Sequence, residues 1–182
     1  MEEEINPIKG YLFEYIKNSE TIPKLINEKK FDIIIDEIID NCYDKILTMG
    51  EKNESVGILA TGILHYLLTN ALITSQRKVE YHNKELDIVI PDIKTLENDP
   101  KKTLLIGIIK SSNINEINQE IQKLENIQSE KENIWLVLPE SIPTEKKSFI
   151  VSKENNSFSK IIFEIAKFSN VGGSNKFKIL RI

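Results

Sequence analysis

Apolar residues recur at helical spacing through the first third of the chain and at strand spacing through the middle. Ile34, Ile35, Ile38, Ile39, Tyr43, Ile46 and Leu47 share one stripe, which predicts a helix from Ile33 to Met49 ended by Gly50 in the position of a C-terminal cap. A helix from Pro7 to Glu28 precedes it, and an almost wholly apolar one follows from Ser55, read as its N-cap, to Ile73. The period then shortens to two. Gln76 to Tyr81 and Glu85 to Ile90 form a hairpin around His82, Asn83 and Lys84, and Pro91, which has no N–H to donate, stops the second strand. A polar loop runs from Asp92 to Lys102. The continuous apolar runs Leu104 to Lys110 and Ile134 to Leu138 predict strands covered on both faces. Between them Ile117, Ile121, Leu124 and Ile127 form the stripe of a connecting helix from about Asn115 to Gln128, with a right-handed crossover expected. A weaker strand pattern at Ser148 to Ser152, a helix from Phe158 to Phe168 closed by Gly172 and Gly173, and a terminal strand from Lys176 to Ile182 complete the reading. This order predicts an α/β fold, a mixed sheet flanked by helices.

Length and composition narrow the class. At 182 residues with 40% hydrophobic and 29% charged positions, the chain is expected to be one domain, with residues 1–54 a helical extension, 55–138 the core and 139–182 a strand, helix and strand. Cys42 is the sole cysteine, which excludes an intramolecular disulfide and a cysteine-based zinc site. Its place between Asp40 and Asp44 disfavours the thiolate, so Cys42 reads as packing. Glu2, Glu3 and Glu4 stand where a secretory signal would carry basic residues, so the cytoplasm is the expected compartment. The 18 residues from Val56 to Ile73 approach membrane-spanning length, but His65 and Asn70 interrupt them and Gly57 and Gly62 point to close packing. A buried helix and no membrane contact are expected.

The net charge of −4 argues against strong nonspecific attraction to nucleic acid. It is unevenly spread: residues 1–54 hold 7 basic and 13 acidic side chains, residues 151–182 hold 6 and 2. Gly172-Gly173-Ser174 has no helix directly after it and reads as a turn rather than a phosphate loop, and Trp135 reads as core.

The segments ELDIVIPD and LLIGIIKSS place Asp87 in the second hairpin strand and Lys110 at the end of the next one. With the order helix, hairpin, strand, helix, strand over about 85 residues, this resembles the restriction-endonuclease-like core (αβββαβ) of the PD-(D/E)xK nuclease superfamily. The resemblance implies a Mg²⁺- or Mn²⁺-dependent phosphodiester hydrolase acting on DNA or RNA, with Asp87 binding the ion and Lys110 assisting the attacking water. Hard cations take oxygen ligands, hence the family's carboxylates. The family's second acid, two residues before the lysine, is replaced here by Ile108, which cannot bind a cation. Glu80, Glu85 and Asp92 are candidates to replace it, and Glu80 is taken as the second metal ligand. His65 in TGILHYLL and Gln119 in NEINQEIQ resemble features of the RecB-like branch and, with Ser111, are candidate binding residues. Three readings stay open: a nuclease with a degenerate site, an inactive nuclease-fold subunit that acts through a protein partner or as a homodimer, and a structural interaction module unrelated to nucleases.

Overall fold

The structure, a computed structural model, describes residues 6–172. The terminal strand expected at Lys176 to Ile182, like Gly173, lies outside them.

The N-terminal third is helical: α1 (Pro7–Asn18), α2 (Ile22–Asn27), α3 (Phe31–Leu47) and α4 (Lys52–Asn70). The helix expected from Pro7 to Glu28 is therefore two. Ser19 breaks it, its hydroxyl accepting the N–H groups of Thr21 and Ile22 and so offering the backbone an alternative to the helical ladder. The fourth helix begins a turn before Ser55, because the Glu51 carboxylate accepts the Glu54 amide at 2.8 Å and caps it. Gly50 likewise lies beyond the cap of α3, which is Thr48. The apolar run of α4 is core: Val56, Leu59, Ala60, Ile63, Leu64, Leu67 and Leu68 are all buried. No described helix is long and apolar enough to cross a membrane.

The hairpin forms as expected from β1 (Gln76–Tyr81) and β2 (Lys84–Ile90). His82 and Asn83 both take positive φ, 50° and 59°, which makes the two-residue turn whose twist matches the strands. The stretch read as loop after Pro91 contains a short helix, α5 (Ile93–Asn98), capped by the Asp92 carboxylate on Thr95. Then come β3 (Leu104–Ile108), α6 (Ile114–Glu125), β4 (Ile134–Leu138), β5 (Lys147–Ile150) and α7 (Ile161–Gly172).

These strands form one five-stranded sheet in the order β1-β2-β3-β4-β5, antiparallel for the first two pairings and parallel for the last two. Helices cover both faces, which is why β3 and β4 are buried throughout. On one face Ile88, Ile106, Ile108, Trp135 and Val137 join the buried residues of α1, α3, α4 and α7; on the other Val89, Leu105, Ile109 and Leu136 join Leu96 of α5 and Ile117 and Leu124 of α6. The close packing anticipated at Gly62 is present, since a methyl group there would come within 2.6 Å of Leu12 on α1.

Candidate functional site

The sheet opens between β2 and β3. Their pairing runs through Ile90↔Leu104, Val89↔Leu105 and Ile88↔Ile106 and goes no further, whereas β3 stays with β4 through Ile108↔Val137. The Ile108 N–H, left without a partner on β2, would be costly to bury. The Asp87 carboxylate takes it, with Oδ2 accepting the bond at 2.8 Å. Asp87 thus stands in the fork between the two strands, at the C-terminal end of the parallel part of the sheet, where open α/β sheets place their ligands.

The charges around Asp87 come from both helical layers. Burial pushes its carboxyl above the ordinary aspartate value, the Ile108 amide opposes this, the nearby Glu120 raises it, Lys110 lowers it and Glu85 raises it again. Glu120 lies on α6, half-buried, in the stripe of Ile117, Ile121 and Leu124 that faces the sheet, and Lys123 Nζ lies 3.2 and 3.3 Å from its two oxygens. Lys110 approaches from the layer of α4. Its alkyl stem crosses that helix at Gly57, where a Cβ would come within 2.6 Å of Lys110 Cγ. One turn earlier Glu54 Oε1 lies 3.4 Å from the ammonium. Both partners of this pair are substantially exposed, so it orients the lysine more than it stabilises the fold.

Of the residues singled out from sequence, Asp87 and Lys110 are brought into one electrostatic neighbourhood. Glu80 is exposed on edge strand β1, opposite Glu85 in the register, and is not among the charges that act on Asp87. Ser111 secures the start of α6, its hydroxyl donating to the Glu116 carboxylate and accepting the Asn113 amide. Gln119 is exposed on α6. The charges acting on His65 are those of Arg77, Lys78 and Lys9, which with burial hold its pKa down to about 4. Three cations make poor company for a metal ligand. Sequence reasoning missed Glu120 and Glu54. For Glu120 the signal was present: it is the one carboxylate at i+3 from Ile117 and i−4 from Leu124, inside the apolar stripe.

No family model and no curated protein matches the sequence. Among solved structures, the fold is similar to that of the restriction endonuclease PspGI bound to its substrate DNA, with a TM-score of 0.63 and 16% identity over 92% of this chain and 94% of that one. The chain has the restriction-endonuclease-like fold. Metal-depleted Ecl18kI, in complex with uncleaved, modified DNA, is also found at 17% identity, with a TM-score of 0.46 over 91% of this chain and 61% of that one. In this restriction-endonuclease-like frame the core order read from sequence, α4-β1-β2-β3-α6-β4, is the observed one.

Restriction endonucleases typically use divalent metals, and hard cations take oxygen ligands. Asp87 Oδ1 accepts no hydrogen bond among the described residues, and the Glu120 carboxylate of α6 is close enough to raise the Asp87 pKa. No group of three or more His, Cys, Asp and Glu side chains that could hold a metal is gathered among the described residues. Two carboxylates are nevertheless what Mg²⁺ takes when water and a phosphate complete its shell.

Proposed function

We propose that the chain is a metal-dependent phosphodiester hydrolase acting on DNA, in which the second acid comes from α6 instead of the strand position occupied by Ile108. The observation that carries this reading is the fork in the sheet, where Asp87 is held by the Ile108 amide with Glu120 and Lys110 acting on it from either side. The likeness to an endonuclease seen with its substrate DNA supports DNA as the partner.

Held between Asp87 and Glu120, a divalent cation would polarise a phosphodiester and lower the pKa of an attacking water. The Ile108 amide fixes Asp87 Oδ2, and Oδ1 would be the oxygen available to hold the ion. Lys123 Nζ bridges both oxygens of Glu120 and would have to turn aside for ligation. Lys110, laid across Gly57 and held by Glu54, brings its ammonium to the charge that builds on the phosphate oxygens as water adds and the leaving oxygen departs.

Incubation with linear, single-stranded and branched DNA in Mn²⁺ tests this. Cleavage is expected for the wild type, with a loss of at least about 100-fold in Asp87→Ala and Lys110→Ala. Activity that survives both substitutions belongs to a contaminant and refutes the reading. The alternative, an inactive nuclease-fold subunit, draws on the burial of Ile108 at 6% exposure, which leaves the family's acid position without an oxygen. It predicts DNA or protein binding with no cleavage by any variant.

A further inference from the structure

Although the chain carries a net charge of −4, Lys9 of α1 and Arg77 and Lys78 of β1 gather around His65 of α4. All three are exposed, and none forms an ion pair with a carboxylate among the described residues. Eleven ion pairs among the described residues engage other lysines.

The guanidinium is fixed in place. Arg77 Nη1 donates to the His65 carbonyl at 2.7 Å and to Thr69 Oγ1 at 3.3 Å, which anchors it on the last turns of α4. Its Nε and Nη2 donors make no hydrogen bond among the described residues, and a planar fork held this way is suited to phosphate oxygens. Lys78 departs from regular strand geometry, with φ of 48°, and the ladder passes over it: Arg77 pairs with Ile88 and Val79 with Leu86. That register sets the Lys78 backbone opposite that of Asp87, while its charge acts on His65. Left-handed backbone is strained at a lysine and is retained where surrounding structure demands it. The His65 Nε2 atom is buried with no hydrogen-bond partner among the described residues. A neutral imidazole beneath the cations adds no charge to repel them, which lets three positive groups share one patch.

We infer that Lys9, Arg77 and Lys78 form a track for the sugar-phosphate backbone of a polynucleotide, holding the stretch that flanks the phosphate seated at Asp87. This rests on the hydrolase reading above and assigns its substrate contacts. Contacts of this kind position the strand without reading its sequence. Their signature is electrostatic: each neutralised phosphate releases counterions, so binding falls with salt at a slope set by their number.

The test is fluorescence anisotropy with a labelled duplex in EDTA, which prevents cleavage, across a series of KCl concentrations. In the Lys9→Ala, Arg77→Ala, Lys78→Ala triple variant the slope of log affinity against log salt should drop by about one for each charge removed, and affinity should fall roughly tenfold or more on unrelated sequences alike. Lys9→Glu with Lys78→Glu, which leaves the Arg77 anchor on α4 intact, should lose as much, with an unchanged melting temperature showing that both proteins are folded. A control in which Lys24, Lys45 and Lys160, exposed lysines on other elements, become Ala alters net charge equally and should leave the slope near that of the wild type. If the track variants bind no worse than this control, the track is refuted, while Mn²⁺-dependent cleavage abolished by Asp87→Ala would keep the hydrolase reading alive. A wild type that neither binds nor cuts DNA removes both.

Discussion

His65 and Asp87 are both held away from their charged forms by burial, with opposite consequences for pH. The Asp87 carboxyl titrates above its unfolded value, so its contribution to stability is full at low pH and fades as pH rises through the folded pKa. The molecule accepts that loss at neutral pH because the ionised form takes the Ile108 amide and, on the proposed reading, a cation. For His65 the folded pKa of about 4 lies below the unfolded 6.5, so the unfolded chain binds the proton first. Stability is full above pH 6.5 and declines as pH falls toward 4. Urea unfolding of the wild type and His65→Gln between pH 7 and 4 measures this. The wild type should lose stability more steeply than the variant, and parallel curves would contradict the assignment.

Gly57 shows how one helix shapes the site. A methyl group there would push directly on the Lys110 stem, so Gly57→Ala should turn the lysine away. Alanine is a better helix former than glycine by about 1 kcal/mol, which offsets the crowding. Unaltered or raised thermal stability is therefore expected alongside cleavage reduced roughly 10- to 100-fold, as a misplacement of about an ångström can produce. Melting curves paired with cleavage rates check both halves, and full activity would show that Lys110 does not need this path. At the scale of elements much was legible in the sequence. Long periodic runs such as Leu104 to Lys110 and the stripe of α6 announce themselves because burial forces the pattern. The six-residue α5 did not, since so short a helix rests on its Asp92 cap more than on periodicity. Glu120 stayed hidden because its stripe was followed through isoleucine and leucine alone, and Glu54 because its role depends on α4 lying against the end of β3. Glu80 was placed by proximity in sequence, yet the register sets it opposite Glu85 on the edge strand, apart from the charges acting on Asp87.

Over the whole molecule, a mixed sheet sandwiched by helices opens at one point beside Asp87, and on the proposed reading the exposed cations of α1 and β1 carry the strand that passes it. A net negative chain can engage a polyanion on this account because its charge is distributed unevenly. The central claim is that α6 supplies the acid that Ile108 denies to β3. Calorimetric titration of Mn²⁺ into the wild type, Glu120→Gln and Glu80→Gln measures this without relying on turnover. Glu80→Gln should bind like the wild type, and Glu120→Gln should bind more weakly by at least the roughly 10- to 100-fold that losing an outer-sphere partner alone costs. Equal affinity in the wild type and Glu120→Gln would contradict the account.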